Sequence, residues 1–499
     1  MNIGKGIGAF VLVSAFAVVA TAETPTVTKV TLSESDGTVT IGYTLSEAPA
    51  IVTLDIKSGG ESIGGRHIQS FSEESDVWRK VTETSGTIVW YASKDWPGHT
   101  GELTAEVTAW PADASPDYMV VDITKGAQRN TERYYPSAEF LPGGLLANPA
   151  YRTSSIVMRR IAAKGATCHM GTTSETGRTT DGRETPHEVT LTNDYYIGVF
   201  EVTQAQWLLL GGRDSAAFKN GAFRAMRPME TVRYAHIRSN DFTKDVYYSL
   251  VMWPAAPYGT SYLGKLRDLT GLSFDLPSEA QWEFAARAGQ EEGHWGDGSL
   301  ITGSTSCDNL PGRYKMNGGY VDGTVAPDAA TCPTNNGTAV CGSYAPNAFG
   351  LYDMNGNVWE LCLDYYESNL ANCDSQINMD PEDPLKAADG TVIGAYGASG
   401  YTGTICWRGG AWNYNAGYAR AAFRGGQGMN TALNDTGFRL YLPAGGATRS
   451  TGSGSAEVST SAVPVASAAG AVDGRECSWL ATLGQAIDTF KAGIMLIVR

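Results

Sequence analysis

The most constraining feature of this sequence is the scarcity of helix signals between residues 156 and 443, a segment rich in glycine, tryptophan, tyrosine and asparagine. Outside three short helices, this segment predicts short strands and long loops. Loops of this length need internal fastening by aromatic side chains, disulfides or metal ions. Three helix starts with capping residues are present: Thr203 with Gln206 and an end at Gly211, Ser261 with an end at Gly271, and Ser278 with Gln281 and an end at Gly289.

An alternation of apolar and polar residues predicts a different unit in residues 23–125. Apolar side chains recur at every second position in Val39–Leu45, Val52–Ile56 and Leu103–Ala109. Short alternating strands separated by turn residues are typical of an antiparallel β-sandwich, so we expect an immunoglobulin-like or fibronectin-like spacer or adhesion module. Residues 126–155 are expected to form a connector, because proline and glycine at Pro136 and at 142–144 interrupt regular structure.

The two ends of the chain carry further segments. Lys5 and the apolar run Ile7–Val19 precede Ala20-Thr21-Ala22, which predicts a secretory signal peptide over residues 1–22 and a secreted, periplasmic or cell-surface protein. An N-terminal membrane anchor is the alternative, although the run is short for a span. Residues 444–470 predict a flexible linker and residues 471–499 a short C-terminal tail, and no later segment is long enough to span a membrane.

Charge and cysteine content restrict the partners and the compartment. The formal net charge is −15, which argues against binding to nucleic acid or to anionic membranes. Eight cysteines in an exported chain suggest disulfides. We expect Cys332 to pair with Cys341 and Cys362 with Cys373, because these cysteines are closest in sequence.

Six signatures occur in order in the long central segment. Together they resemble the formylglycine-generating enzyme family, whose domain is also called the sulfatase-modifying factor domain. The resemblance implies an α+β, C-type-lectin-like fold with little regular secondary structure and with bound calcium. The expected fold class is therefore multidomain, an all-β sandwich followed by this α+β domain over residues 156–443. The signatures are YIGVFEVTQ (196–204), PMETVRY (228–234), LPSEAQWEF (276–284), NAFGLYDMNGNVWE (347–360), RGGAW (408–412) and TGFRL (436–440).

Two carboxylates seven residues apart, Asp353 and Glu360, suggest a calcium site. Calcium takes about six to eight oxygen ligands, and a turn at Gly356 would add the backbone carbonyls of Gly356 and Val358. The resemblance assigns calcium to the same four positions, and a Glu360 that caps or pairs with an arginine is the alternative. The resemblance maps a second calcium site to Asn309 and Leu310.

The family's oxidases hold copper(I) between two cysteines that follow a Gly-Gly-Ser motif. The resemblance maps these cysteines to Tyr414 and Ala419, and the serine of the motif to Ala411. Copper(I) prefers thiolate ligands, and neither a phenol nor a methyl group replaces one. We therefore expect no copper and assign no catalytic residue, and whether the chain is an enzyme stays open.

The segments that line the family's substrate groove contribute aromatic and polar residues here. Such a combination suits a peptide or a sugar ligand. The alternative is that the tryptophans belong to the core and that Arg439 is a buried partner of a carboxylate. The candidate groove residues are Trp359, Asn413, Tyr414, Arg424 and Asp435.

These patterns predict a secreted protein in which the sulfatase-modifying-factor-like domain lacks the copper-binding cysteine pair. We expect it to act as a calcium-stabilised binding or structural module with a protein or glycan ligand. One alternative is an oxidoreductase of the same family that modifies a protein through a different set of residues. The other is a calcium-dependent carbohydrate binder, by analogy of fold alone.

Overall fold

The computed structural model describes residues 24–444, apart from residues 100, 125–131, 176–177, 220–223, 246–255, 291–311, 316, 318–319, 322–323, 326–336, 367, 369, 371–375 and 378–402. The predicted signal peptide, the linker beyond Ala444 and the C-terminal tail lie outside the described residues. Within the described part of the chain, no helix is long and apolar enough to cross a membrane.

Short strands dominate the described residues, and the helices among them are few and short. The α-helices are α1 (Ala92–Asp95), α2 (Gln204–Leu209), α3 (Tyr262–Thr270) and α4 (Glu279–Arg287). The strands are β1 (Val27–Ser35), β2 (Thr38–Leu45), β3 (Ala50–Ser58), β4 (Glu61–Ser62), β5 (Arg79–Val81), β6 (Ser85–Trp90), β7 (Leu103–Trp110), β8 (Tyr118–Asp122), β9 (Glu132–Tyr135), β10 (Ser155–Ile161), β11 (Thr167–Met170), β12 (His187–Thr190), β13 (Tyr195–Gly198), β14 (Tyr320–Val321), β15 (Thr324–Val325), β16 (Trp359–Tyr365), β17 (Gln376–Ile377), β18 (Thr404–Arg408), β19 (Arg424–Gly428), β20 (Thr436–Gly437) and β21 (Tyr441–Pro443).

The N-terminal region contains two antiparallel sheets, which confirms the expected β-rich unit. One sheet has the order β1-β2-β6, and in the other β3 pairs with β4, β5 and β7. The predicted alternation is present, because β2 buries its apolar positions and exposes more of the residues between them. The inward side chains of both sheets meet in one core cluster that includes Val39, Ile41, Val52, Leu54 and Trp90. This shared core makes the two sheets the layers of a sandwich.

The end of the sandwich differs from the expected boundary at residue 125. β8 lies in the range expected for the sandwich and β9 in the expected connector, yet both belong to a five-stranded sheet of order β21-β13-β10-β8-β9. Trp78 of the sandwich stacks on Tyr135 of β9 with ring centroids 5.2 Å apart. β8 is buried on both faces, so its apolar pattern gave no information about which sheet it joins.

A second sheet of the C-terminal domain carries the candidate site. Its order is β19-β18-β16-β20, and α4 lies against β16 and β18. The three expected helices are confirmed, with capping boxes at Thr203 and Ser278 and a left-handed Gly271 at the end of α3. α4 ends at Arg287, two residues before the expected glycine, because Ala288 adopts the left-handed conformation. The Ser278 cap fixes the first turn of α4, and the Glu279 N–H donates to Asp364 of β16 at 2.5 Å, which holds the helix start against the sheet.

The two expected disulfides are not supported at the ends that the structure describes. Cys341 and Cys362 are buried free thiols. Their expected partners, Cys332 and Cys373, lie outside the described residues. Both described thiols pack inside core clusters, so a bridge would require its partner to enter the core.

Candidate functional site

Tyr414 and Ala419, to which the resemblance maps the family's two cysteines, lie in the segment after β18. Gly409 and Gly410 follow this strand with φ of 94° and 75°, a conformation that favours glycine. The Trp412 N–H then donates to the Asn357 carbonyl at 2.9 Å, which ties the segment to the loop before β16. Ala419 is buried against the glycine pair, since a Cβ on Gly410 would lie 2.8 Å from the Ala419 Cα.

Tyr414 belongs to an aromatic cluster that consists of Trp359, Trp407, Tyr414, Tyr418 and Phe423. Trp359 stacks on Trp407 with ring centroids 4.8 Å apart, and it meets Tyr414 edge-on at 5.1 Å. Tyr418 lies edge-on to Tyr414 at 5.3 Å and to Phe423 at 4.8 Å. Trp359 and Phe423 are buried, whereas Tyr414 is partly exposed and Tyr418 is 38% exposed. The aromatic cluster thus has a buried side and a solvent-facing side made by two tyrosines.

The Tyr414 hydroxyl is held in its protonated form. Burial, followed by the negative charge of Asp435, raises the pKa of Tyr414 above its ordinary value. A neutral phenol is a good hydrogen-bond donor and a poor copper(I) ligand. Of the four cysteines that the structure describes as free, none belongs to the aromatic cluster, and Cys406 packs in a separate core cluster with Cys362. Among the described residues, the aromatic cluster around Tyr414 therefore contains no thiol.

The five predicted groove residues do not share one accessible surface. Asn413 and Tyr414 are partly exposed, and the Asn413 amide donates to Asp435 at 2.9 Å. Trp359 and Asp435 are buried, so the alternative in which this tryptophan belongs to the core applies. Arg424 does not line a groove, because its buried guanidinium forms an ion pair with Glu279 at 2.6 Å. Neighbourhood in sequence could not reveal this partner, which lies 145 residues away.

The four expected calcium positions lie in the loop before β16 and at the start of that strand. Asp353 has a φ of 58° and Gly356 a φ of 92°. Asp353 Oδ2 accepts the Gly342 N–H at 2.6 Å, whereas its buried Oδ1 has no hydrogen-bond partner. Asp353 therefore offers an oxygen that a cation would satisfy.

Glu360 has a different environment. Its carboxylate forms a buried ion pair with Arg439 at 2.6 Å and accepts the Trp282 indole N–H, also at 2.6 Å. A guanidinium this close would repel a calcium ion on the same carboxylate. Of the two carboxylates in the expected calcium set, Asp353 is therefore available to a cation and Glu360 is not. For Glu360 the alternative of an arginine partner applies. Asn309 and Leu310 lie outside the described residues.

Sequence reasoning missed one buried cluster, the acidic trio Glu201, Cys341 and Asp353. The potential ligand atoms of the trio lie within 4.8 Å of one another. The Cys341 thiol donates to Glu201 Oε2 at 3.3 Å, and the Asn357 amide donates to the same oxygen at 2.7 Å. Burial, together with the nearby carboxylates, raises the pKa of Glu201, and burial raises the pKa of Asp353 to about 6. No sequence signal links three residues this far apart along the chain.

Comparisons with known proteins agree with the signatures. A family model described as the sulfatase-modifying factor enzyme 1-like domain matches residues 152–443, more than half of the chain. The formylglycine-generating enzyme of Thermomonospora curvata is 33% identical over 112 residues, which cover 22% of this chain and 33% of that protein. The formylglycine-generating enzyme of Mycobacterium tuberculosis is 31% identical over 166 residues, covering 33% of this chain and 49% of that protein. A chaperone protein named LppX from Paenibacillus barcinonensis is 29% identical over 186 residues, covering 35% and 63%.

The chain thus spans less than two thirds of the length of each of these relatives. Among solved structures, Treponema denticola variable protein 1 is similar at 23% identity and a TM-score of 0.39, covering 58% of this chain and 95% of that one. PvdO from Pseudomonas aeruginosa is similar at 21% identity and a TM-score of 0.37, covering 57% and 94%. On the family match over residues 152–443, this chain belongs to the sulfatase-modifying factor family.

Proposed function

We propose that this chain is a binding module built on the sulfatase-modifying factor domain and that it does not perform copper-dependent oxidation. The observation that supports the proposal best is Tyr414, whose ring packs on Trp359 at 5.1 Å where the family's oxidases have a cysteine. Ala419, at the second position, is buried and offers only a methyl group. A copper(I) site needs soft ligands, and these two side chains supply none.

The proposed binding surface consists of Asn413, Tyr414 and Tyr418. Tyrosine provides a large contact area at a low cost in conformational entropy and is frequent in protein-binding surfaces. The rings of Tyr414 and Tyr418 meet at 69°. The pair therefore presents ring edges and hydroxyls rather than a single open flat face. A sugar ring stacks on an open face, whereas a peptide uses edges, hydroxyls and amides. A protein segment is therefore the ligand class that we favour.

Selection of peptides from a phage-displayed random library on the full chain tests this proposal. Selected peptides should lose affinity by about tenfold or more in Tyr418→Ala and in Tyr414→Ala, since interface tyrosines are frequent hot spots. Tyr258→Ala is the matched control, because Tyr258 is another exposed tyrosine, at 55%, outside the aromatic cluster. Peptides that bind both cluster variants as well as the control would contradict the proposed surface.

The other two functions give different results with the same protein. An oxidoreductase that acts through other residues would convert a peptide substrate in the presence of oxygen, and mass spectrometry of the peptide would reveal the product. A calcium-dependent carbohydrate binder would bind glycans on an array, and a chelator would abolish the binding. Glycan binding that is lost in Tyr418→Ala would assign the same surface to a sugar instead of a peptide.

The proposal includes two further points: the chain binds calcium, and the chain is exported. The unpartnered Oδ1 of Asp353 supports a cation at this residue, and the apolar run before Glu23 supports export. Thermal unfolding with and without calcium tests the first point, because a calcium-dependent rise in Tm should be absent in Asp353→Asn. N-terminal sequencing of the exported protein tests the second point, and a first residue other than Glu23 would contradict the expected cleavage site.

A further inference from the structure

We propose that the acidic trio Glu201, Cys341 and Asp353 is a binding site for a divalent transition metal ion, with zinc as the representative ion. The site is separate from the proposed ligand surface, and its donor set shares only Asp353 with the expected calcium positions. All three side chains are buried, with exposures of 1%, 0% and 2%.

The fold brings the trio together from three separate segments. Glu201 lies between β13 and α2, Cys341 lies in the loop at residues 337–345, and Asp353 lies in the loop before β16. The Tyr352 N–H donates to the Val199 carbonyl at 3.0 Å, which holds the Asp353 loop against the Glu201 segment. The side chain of Asn357 also bridges two segments, since it binds Glu201 at 2.7 Å and the Ala339 N–H at 2.7 Å. The donor atoms are thus positioned by the scaffold.

The spacing of the donor atoms suits a small cation. Zinc lies about 2.3 Å from sulfur and about 2.0–2.2 Å from carboxylate oxygen, so a tetrahedral site separates sulfur and oxygen by about 3.5 Å. The Cys341 Sγ to Glu201 Oε2 distance is 3.3 Å. All three ligand atoms lie within 4.8 Å of one another, so an ion placed among them is at most about 2.8 Å from each, and a small inward movement of the side chains brings it to metal–ligand distance. An ion between the three atoms therefore needs little rearrangement of the side chains.

The positive charges of Arg439 and Arg152 act on Asp353, but among the described residues neither forms an ion pair with the trio, because each is bound elsewhere. Arg439 is bound by Glu360 at 2.6 Å. Arg152 donates to the carbonyl oxygens of Cys341 at 2.9 Å and of Leu146 at 2.5 Å. Asp353 Oδ1, which is buried without a hydrogen-bond partner, carries the desolvation cost of an unsatisfied acceptor. A bound cation would satisfy this oxygen and offset the repulsion between the two carboxylates.

The thiol determines which ion the site prefers. Calcium selects oxygen donors, whereas a thiolate with carboxylates suits zinc and related ions. On binding, Zn–S and Zn–O bonds form, the thiol proton of Cys341 and any proton on the two carboxyl groups leave to solvent, and no oxidation state changes. The site therefore discriminates zinc from calcium through Cys341.

The test uses the full chain, stripped with a chelator and then dialysed against zinc, cadmium or calcium, each alone. We expect wild type to retain one zinc per chain and Cys341→Ser and Asp353→Asn to lose this retention. Cadmium should produce an ultraviolet thiolate charge-transfer band that disappears in Cys341→Ser. Cys168→Ser is the matched control, since Cys168 is a free thiol outside the trio, and it should keep both the zinc and the band.

Circular dichroism without metal establishes that each variant is folded. Cys341→Val, which fills the same space with an apolar side chain, replaces Cys341→Ser if the serine variant unfolds. The proposal is overturned if wild type retains no zinc or if zinc is retained equally without the Cys341 thiol. Peptide mapping that finds Cys341 in a disulfide with Cys332 would overturn it as well. None of these results depends on peptide binding at Tyr414 and Tyr418.

Discussion

Arg424 and Glu279 form a buried bidentate ion pair in which the Nε–Oε1 and Nη2–Oε2 distances are both 2.6 Å. Glu279 begins α4 directly after the Ser278 cap, and Arg424 begins β19. The same carboxylate lies 2.9 Å from Arg408 of β18. One residue at a helix start therefore joins two strands of the sheet that carries the aromatic cluster, and the role of Arg424 is structural.

Removing the charge of Glu279 should destabilise the fold strongly. In Glu279→Gln two buried guanidinium groups lose their shared carboxylate, and breaking a buried ion pair typically costs about 3–5 kcal/mol. Chemical denaturation measures this loss as a change in the free energy of unfolding. The matched control Glu106→Gln removes the same charge from a surface pair with Lys57, where the effect should be small. Equal losses in the two variants would contradict this account of the pair.

The stabilisation by Glu279 should also depend on pH. Although burial opposes the shift, the charges of Arg424 and Arg408 lower the pKa of Glu279 from 4.5 to about 2. As the pH falls, Glu279 therefore binds a proton in the unfolded chain before it does so in the folded chain. The stabilisation is complete above pH 4.5 and is lost as the pH falls to about 2. The difference in unfolding free energy between wild type and Glu279→Gln should shrink over this range, and a constant difference would be inconsistent with the shift.

Asp353→Asn should stabilise the chain at neutral pH when a chelator removes metal ions. Burial raises the pKa of Asp353 from 3.8 to about 6, so stability present below pH 3.8 is lost as the pH rises through 6. Asparagine does not ionise and tolerates the φ of 58°. At neutral pH the gain in unfolding free energy over wild type should approach roughly 1.4 kcal/mol for each unit by which the pKa of Asp353 differs between the folded and unfolded chain. Denaturation at several pH values measures it, and an advantage that does not fade toward acid pH would argue against the shift.

Gly356→Ala should lower the Tm far more than Gly417→Ala. A Cβ on Gly356 would lie 2.1 Å from the Arg313 carbonyl oxygen at a φ of 92°, whereas a Cβ on Gly417 meets nothing within 4 Å. Left-handed backbone alone costs a non-glycine residue about 1–3 kcal/mol, and the collision adds to this cost. Thermal unfolding of both variants provides the comparison. Equal Tm values would show that the loop before β16 adapts without strain.

The sequence predicted the helix caps and the strand alternation, because each depends only on residues that are close together along the chain. The capping boxes at Thr203 and Ser278 are present because a side-chain oxygen and a backbone N–H three residues later are neighbours in any helix start. The alternation in β2 likewise depends only on the two-residue period of a strand. The family signatures predicted the C-terminal domain, and the family match over residues 152–443 confirms it.

The buried polar contacts could not be predicted, because each depends on a partner that is remote in sequence. Arg420 binds Glu184 at 2.7 Å across 236 residues, and Arg439 binds Glu360 across 79. A single sequence does not state which acid meets which base, so it cannot identify Glu279 as the partner of Arg424 or choose between calcium and an arginine for Glu360. The acidic trio likewise combines residues that are remote in sequence, and the apolar pattern of β8 does not identify the sheet that this strand joins.

The proposed binding role requires that Tyr414 and Ala419 do not form a copper–thiolate site. The most direct measurement is oxygen consumption by the copper-treated full chain with a cysteine-containing peptide, with the formylglycine-generating enzyme of Thermomonospora curvata as the positive control. We predict that this chain consumes no oxygen above the rate of free copper and leaves the peptide cysteine unchanged. Copper-dependent oxygen consumption with conversion of that cysteine to formylglycine would contradict the account.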